Sequence, residues 1–264
     1  MQVNKSLRVS VVIPVYNEEK YLDKCLQSII KQQVKADEII VINNNSTDNT
    51  VAIAKKYPVR IINEKTQGLT PARNRGFNEA KYEIIARTDA DTILPANWIK
   101  KIKKHFEKDD DVVAVSGPTN FYDLPSQVTK KTVANVHKTY LRLMKKILKH
   151  DCLFGPNIAI RKGAWQRIKN EVCMDDTKVH EDIDLAIHIS PLGKITFDRT
   201  LEVSSSFRRF KNLDSFDSYF EYPYRVVTSI RHHKPFAVKQ RSKQFVKKVM
   251  ERAFSFEQIP SEFK

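Results

Sequence analysis

Val9-Ser10-Val11-Val12-Ile13-Pro14-Val15, running into Tyr16-Asn17-Glu18-Glu19, is the stretch on which the fold turns. Its first seven residues form a β-branched apolar run. That is the pattern of a strand buried on both faces, as in a parallel sheet covered by helices. A helix is expected next, and Tyr21, Leu22, Cys25, Leu26, Ile29 and Ile30 recur at helical spacing between Glu19 and Gln33 to give it one apolar face. Working outward, the alternation repeats: strand Glu38 to Ile42, helix Asp48 to Tyr57, strand Val59 to Asn63, helix Pro71 to Lys81, strand Glu83 to Thr88. Such alternation predicts parallel βαβ units. Further on, the pattern predicts a helix over Pro95 to Glu107, a strand over Val112 to Ser116 and a basic amphipathic helix over Ser126 to Lys149. A strand over Asn157 to Arg161 and a helix around Glu181 to Ser190 complete it.

Ligands of open parallel sheets bind beyond the carboxyl ends of the strands, so the residues after each strand are the informative ones. They are polar: Tyr16-Asn17-Glu18-Glu19 after the first, Asn43-Asn44-Asn45-Ser46-Thr47-Asp48 after the second, and Asp89-Ala90-Asp91 after the fourth. With six glycines in all and no Gly-rich phosphate loop, the chain is disfavoured as a dinucleotide dehydrogenase or a P-loop enzyme.

The 264 residues fit one α/β catalytic domain with an appendage, and 41% apolar with 29% charged residues describe a folded chain able to bury a core. No apolar run approaches the roughly 20 residues that span a bilayer and no secretory stretch opens the sequence, so a cytoplasmic protein is expected. Cys25, Cys152 and Cys173 lack metal or redox spacing and read as reduced structural thiols. The net charge of +15 is localised: Leu124 to His150 holds seven Lys or Arg and no acid, and Phe207 to Arg252 holds twelve basic and four acidic residues. The rest of the chain is neutral. A localised anionic partner follows, and the amphipathic stretches Ser126 to Lys149 and Lys239 to Arg252 suit either an anionic membrane surface or packing on protein.

Asp89-Ala90-Asp91 sets two carboxylates around one small residue at a strand end, where both reach one site. Mg²⁺ or Mn²⁺ is typically held by one or two such carboxylates together with substrate phosphates. Arg73 opens a helix in the same half of the fold and suits a phosphate or a carboxylate. Glu181-Asp182-Ile183-Asp184 is a second acidic cluster, in which close like charges raise one carboxylate towards the range of a useful base. Each also has a plainer reading, as a turn, an ion pair or a helix cap. Trp98 and Trp165 read as core aromatics, His180 as a helix-terminus residue and His232-His233 as solvated.

In order and spacing, Pro14 to Glu19, the Asn-Ser-Thr-Asp turn ending at Asp48, Gly68 to Gly76 with its Ala-Arg-Asn, Asp89-Ala90-Asp91, Gly155-Pro156-Asn157 and Glu181-Asp182 resemble family 2 of the inverting glycosyltransferases, over about Val9 to Arg209. The resemblance implies a GT-A fold, Rossmann-like, with a mostly parallel sheet and flanking helices. It implies a catalytic domain over 1–210, with a nucleotide-sugar-binding half over about 1–118 and an acceptor half over about 119–210, followed by a basic helical extension over 211–264. On it, Pro14, Tyr16 and Glu18 line the nucleoside pocket, Asp89 and Ala90 lie at the donor, and Asp91, with Asp89, binds Mn²⁺ or Mg²⁺. Asp182, beside Glu181, is the base. Arg73, Arg208 and Arg209 are donor-side cations, and Gly155 and Asn157 lie at the acceptor. A UDP-sugar is favoured and a GDP-sugar is the alternative. The acceptor is a glycan or polyprenyl-linked hydroxyl, and no nucleic acid is expected. Asn43 and Asn44 are donor-binding positions as well, where the family usually has Asp-Asp; Asn both donates and accepts, but the departure weakens the uridine inference, and the chain lacks Gln-x-x-Arg-Trp. A nucleotidyltransferase, a basic nucleic-acid-binding protein and a catalytically dead donor-binding homologue remain the competing readings.

Overall fold

The computed structural model describes residues 7–124, 126, 129–208 and 229. Along them run β1 (Val9–Val15), α1 (Leu22–Ile30), β2 (Glu38–Asn43), α2 (Thr50–Ala54), β3 (Arg60–Asn63), α3 (Leu69–Glu79), β4 (Ile84–Arg87) and β5 (Thr92–Ile93). Then follow α4 (Trp98–Lys108), β6 (Val112–Ser116), β7 (Thr119–Phe121), α5 (Lys130–Leu148), β8 (Ile158–Arg161), α6 (Lys162–Ile168), α7 (Glu181–Ile189), β9 (Lys194–Phe197) and β10 (Val203–Ser205). Arg209, the extension over 211–264 apart from Ser229, its stretch Lys239 to Arg252 and His232-His233 lie outside the described residues.

Among the described residues, one seven-stranded sheet has the order β3-β2-β1-β4-β8-β6-β9. The pairs β1–β2, β1–β4, β2–β3 and β6–β9 are parallel, and β8 runs antiparallel to both β4 and β6. The expected mostly parallel sheet with flanking helices is what forms. Its central strands β1, β4 and β6 are buried on both faces because their side chains feed two separate layers. Val9, Val11, Ile13 and Val15 pack with Leu22, Cys25, Leu26 and Ile29 of α1 and with Trp98, Ile102 and Phe106 of α4. Val12 turns the other way and joins Ile40, Ile42, Phe77, Trp165, Leu185 and Ile189. A fully buried aliphatic or aromatic side chain contributes about 1.5–3 kcal/mol, so this packing, and not local propensity, holds the nine-residue α1. On the second face α3 lies close to the sheet, because a Cβ at Gly76 would stand 2.2 Å from Cγ1 of Val12.

Several elements differ from expectation. α2 covers only Thr50–Ala54, since Asp48 accepts hydrogen bonds from the backbone and hydroxyl of Thr50 and holds the preceding residues in a turn. α6, β9 and the short strands were not expected. β5, β10 and β7 make a second, three-stranded sheet of two- and three-residue strands, too short to show a period of two. Trp98 and Trp165 are fully buried core residues, as read from the sequence, and the three cysteines are free. No described helix is long and apolar enough to cross a membrane.

Candidate active site

The strand order reverses between β1 and β4: the chain moves outward from β1 to β2 and β3, then returns on the other side of β1. A crevice opens at the carboxyl ends of the strands at such a point. Glu18 follows β1 there, and Asp89 and Asp91 follow β4. Because β8 is antiparallel to β4, with Ile158 opposite Arg87, the residues before β8 reach the same edge and bring Gly155 and Asn157 with them.

The loops after β1 and β2 are sewn together. Asn17 and Asn45 adopt left-handed backbone, φ 53° and 65°, a region asparagine tolerates better than most residues. Asn17 Oδ1 accepts the Thr47 N–H at 2.8 Å, the Glu18 N–H donates to Thr50 Oγ1 at 2.7 Å, and the Glu19 N–H donates to Asp48 at 3.0 Å. These bonds fix the Glu18 backbone. Pro14 is buried and Tyr16 is 51% exposed beside it. Asn43 donates to Asn63 and accepts the Ser46 N–H. Asn44 is buried, giving its amide N–H groups to the Glu64 and Thr66 carbonyls and taking the Gly68 N–H, so it shapes the loop before α3.

Glu18, Asp89 and Asp91 form an acidic cluster in which Arg208 bridges Glu18 and Asp91 while Asp89 is held by Arg87. Arg208 donates from Nε to Asp91 Oδ2 at 2.9 Å and from Nη2 to Glu18 Oε1, and its Cζ stands 4.3 Å from the Tyr21 ring centroid. The small sheet places it there: Thr92 pairs with Ser205, their hydroxyls 2.7 Å apart, and the Ser206 N–H donates to the Asp91 carbonyl. Burial first, and then the charge of Asp89, push the Asp91 carboxyl above its ordinary value despite Arg208. Burial likewise raises Glu18, whose buried Oε2 has no hydrogen-bond partner. Ala90 is buried between the two aspartates. Among the described residues no group of three or more His, Cys, Asp or Glu is placed to hold a metal by itself. A cation here would need substrate phosphates to complete its shell, as hard divalent ions commonly do. The convergence of three carboxylates on the crevice and the orphaned Glu18 oxygen fit that role, with Asp91 and Asp89 as protein ligands.

The second acidic pair opens α7. Arg73 is fully buried and contacts the Glu181 carboxylate and its carbonyl, the latter at 2.8 Å, and Arg87 holds the other Glu181 oxygen. Burial works against ionising Glu181, but the charges of Arg87 and Arg73 outweigh it and hold the carboxyl below the ordinary range. Asp182 goes the other way: burial, then the charge of Glu181, raise it well above. Its Oδ2 accepts the Gly155 N–H at 2.7 Å and its Oδ1 lies 3.3 Å from Arg87 Nη1. Asn157 is fully buried, its amide bonded to Trp98 Nε1 and the Leu201 carbonyl. That places it in the framework under the site. Arg73 too is turned inward, onto Glu181.

Sequence reasoning missed Arg87 and Tyr21. Arg87 had a signal, being a lone charge at the end of the apolar run Ile84-Ile85-Ala86. Tyr21 had none, since it also fits the apolar face of α1.

An open sheet with a two-carboxylate turn at its switch point and an acidic helix start behind it defines the GT-A class of fold. A mannosyltransferase from Pyrobaculum calidifontis, solved with GDP-Man and Mn²⁺, superposes with TM-score 0.68 at 18% identity, over 94% of this chain and 70% of its own. Glucosyl-3-phosphoglycerate synthase from Mycobacterium tuberculosis, solved with Mn²⁺, UDP and glucosyl-3-phosphoglycerate, gives 0.57 at 17% identity, over 83% and 78%. The chain belongs to glycosyl transferase family 2, whose model matches residues 10–168. Glycosyltransferase GlyG of Streptococcus pneumoniae is 38% identical over 112 residues, 40% of this chain and 37% of that protein. The chain spans well under half the length of the curated relatives it matches.

Proposed function

We propose that the chain is a metal-dependent inverting glycosyltransferase that moves a hexosyl group from a nucleoside diphosphate sugar to a hydroxyl of a glycan or lipid-linked acceptor. The observation that carries this is the separation of two carboxylate systems at one sheet edge. Glu18 and Asp91 share the Arg208 guanidinium at the switch point, with Asp89 beside them on Arg87, while Asp182 is buried nearby with its carboxyl raised towards the range of a general base. When bound at Asp91 and Asp89, Mn²⁺ or Mg²⁺ neutralises charge on the departing diphosphate. Arg208 adds a second positive charge on that side. Asp182 takes the proton of the acceptor hydroxyl as its oxygen forms the new bond to the anomeric carbon, and the bond to the diphosphate oxygen breaks. One such displacement inverts the anomeric centre and needs no nucleophilic side chain. Tyr16, at the end of β1, offers an exposed ring at the nucleoside side.

The donor is a UDP-sugar by preference, with a GDP-sugar as the alternative. Relatives of the same fold were solved with each kind of nucleotide and Mn²⁺. Exposed Lys131, Lys138, Arg142, Lys145 and Lys146 on α5 support an acceptor presented at an anionic membrane surface. The experiment is Asp182→Asn. Its donor affinity by calorimetry should match the wild type while turnover falls by about 100-fold or more, the pattern of a lost transition-state interaction. Collapse of donor affinity in step with turnover would remove Asp182 from the role of base.

A further inference from the structure

Arg87 ends β4, the strand at the centre of the sheet, and is 1% exposed. Its backbone is fixed from both sides, opposite Val12 of β1 and Ile158 of β8. A buried charge at the end of an apolar strand is costly unless it is paired, and Arg87 is paired three times. Nη2 donates to Asp89 Oδ1 at 2.9 Å. Nη1 donates to Glu181 Oε1 and lies 3.3 Å from Asp182 Oδ1.

We propose that Arg87 is a positioning residue that ties the donor-side carboxylate Asp89 to the base Asp182, so that one rigid guanidinium sets the distance and angle between the two sides of the displacement. This rests on the transferase reading given above. The planar fork suits the task, because its two terminal nitrogens hold carboxylates on different elements in fixed relative orientation, which a lysine ammonium does not do. Gly155 completes the device. A Cβ there would stand 2.8 Å from Arg87 Nη2, 3.2 Å from its Cζ and 3.2 Å from Asp182 Oδ1, so glycine leaves room for this pair as it stands, and the Gly155 N–H holds the other Asp182 oxygen. Asp182 is thereby gripped at both oxygens. Among the described residues Arg73, by contrast, bonds to Glu181 and Asn74, so it is Arg87 that links the Asp89 side to the base. A residue that merely neutralised Glu181 would not need to reach Asp89.

The test is Arg87→Lys, which keeps the charge and removes the fork, with donor affinity, KM, kcat and thermal unfolding measured beside the wild type. A misplacement of about 1 Å between reacting groups costs roughly 100-fold in rate, so kcat should fall by about that factor while donor affinity stays within about threefold. Gly155→Ala, whose Cβ would crowd that guanidinium and Asp182 Oδ1 together without altering any charge, should give the same split, and wild-type kcat in it overturns the proposal if Arg87→Lys does not fold. A folded Arg87→Lys with wild-type kcat overturns the proposal, whatever its melting temperature, because a structural role moves stability alone. Loss of donor affinity in proportion to kcat also overturns it. Wild-type protein inactive on every nucleotide sugar would sink the transferase reading and this role with it, whereas an active wild type with an unimpaired variant sinks this role alone.

Discussion

Glu181 and Asp182 are neighbours with opposite fates, and the difference comes from which charges each one faces. Glu181 lies between two guanidinium groups and stays ionised well below the ordinary carboxylate range. Asp182 shares one of those groups, feels the charge of Glu181 and is buried, so its carboxyl titrates well above that range. The sign for activity follows directly: a base must be deprotonated, so kcat should be high at neutral or alkaline pH and fall as pH drops through a value above the ordinary aspartate pKa of about 3.9. A kcat profile flat from neutrality down to about pH 4, near the ordinary carboxylate range, would show that Asp182 is not the group that titrates. At this scale the sequence was partly legible. Acidic residues at strand and helix ends announce themselves by type and place. Whether a side chain such as Asn44, Asn157 or Arg73 faces the crevice or the framework depends on partners distant in sequence, such as Glu64, Leu201 and Glu181.

Helix α5 shows what an amphipathic pattern decides and what it leaves open. Met144 and Leu148 are buried with Cys152 and with Ile183, the residue after Asp182, so this part of its apolar stripe packs on the helix that carries Asp182. Lys131, Lys138, Arg142, Lys145 and Lys146 are exposed, and their spacing puts them along one opposite stripe. With the Tyr140 to Leu148 part of its apolar stripe packed, the proposed membrane contact of this helix rests on charge and not on insertion. Each basic side chain near an anionic surface contributes about 1 kcal/mol and the attraction decays within about 10 Å at 0.1 M salt. The protein is therefore expected to float with anionic vesicles at low salt, to be released at high salt, and to lose flotation in a Lys138→Glu, Arg142→Glu, Lys146→Glu variant. Protein that stays in solution with anionic vesicles at low salt would contradict the surface reading. Long periodic elements such as α1, β1 and α4 were legible because burial repeats along them. The strands β5, β7 and β10 were not, because two or three residues carry no period and their pairing depends on segments more than eighty residues apart.

Across the whole molecule, the parallel strand order made the site readable before any contact was known, since β1 and β4 deliver Glu18, Asp89 and Asp91 to one crevice. What order alone did not reveal is the return of the chain through β10, which lays Arg208 between Glu18 and Asp91. The central claim is that this crevice holds a divalent cation and a nucleoside diphosphate sugar and that the sugar leaves it. The most direct measurement is release of nucleoside diphosphate from a panel of UDP- and GDP-sugars in Mn²⁺, with and without EDTA, for the wild type and Asp91→Asn. The account predicts release from at least one donor by the wild type, lost in EDTA and reduced by roughly 100-fold or more in Asp91→Asn, the scale of removing a principal electrostatic contact in a transition state. Release that continues at full rate in EDTA, or in Asp91→Asn, would contradict it.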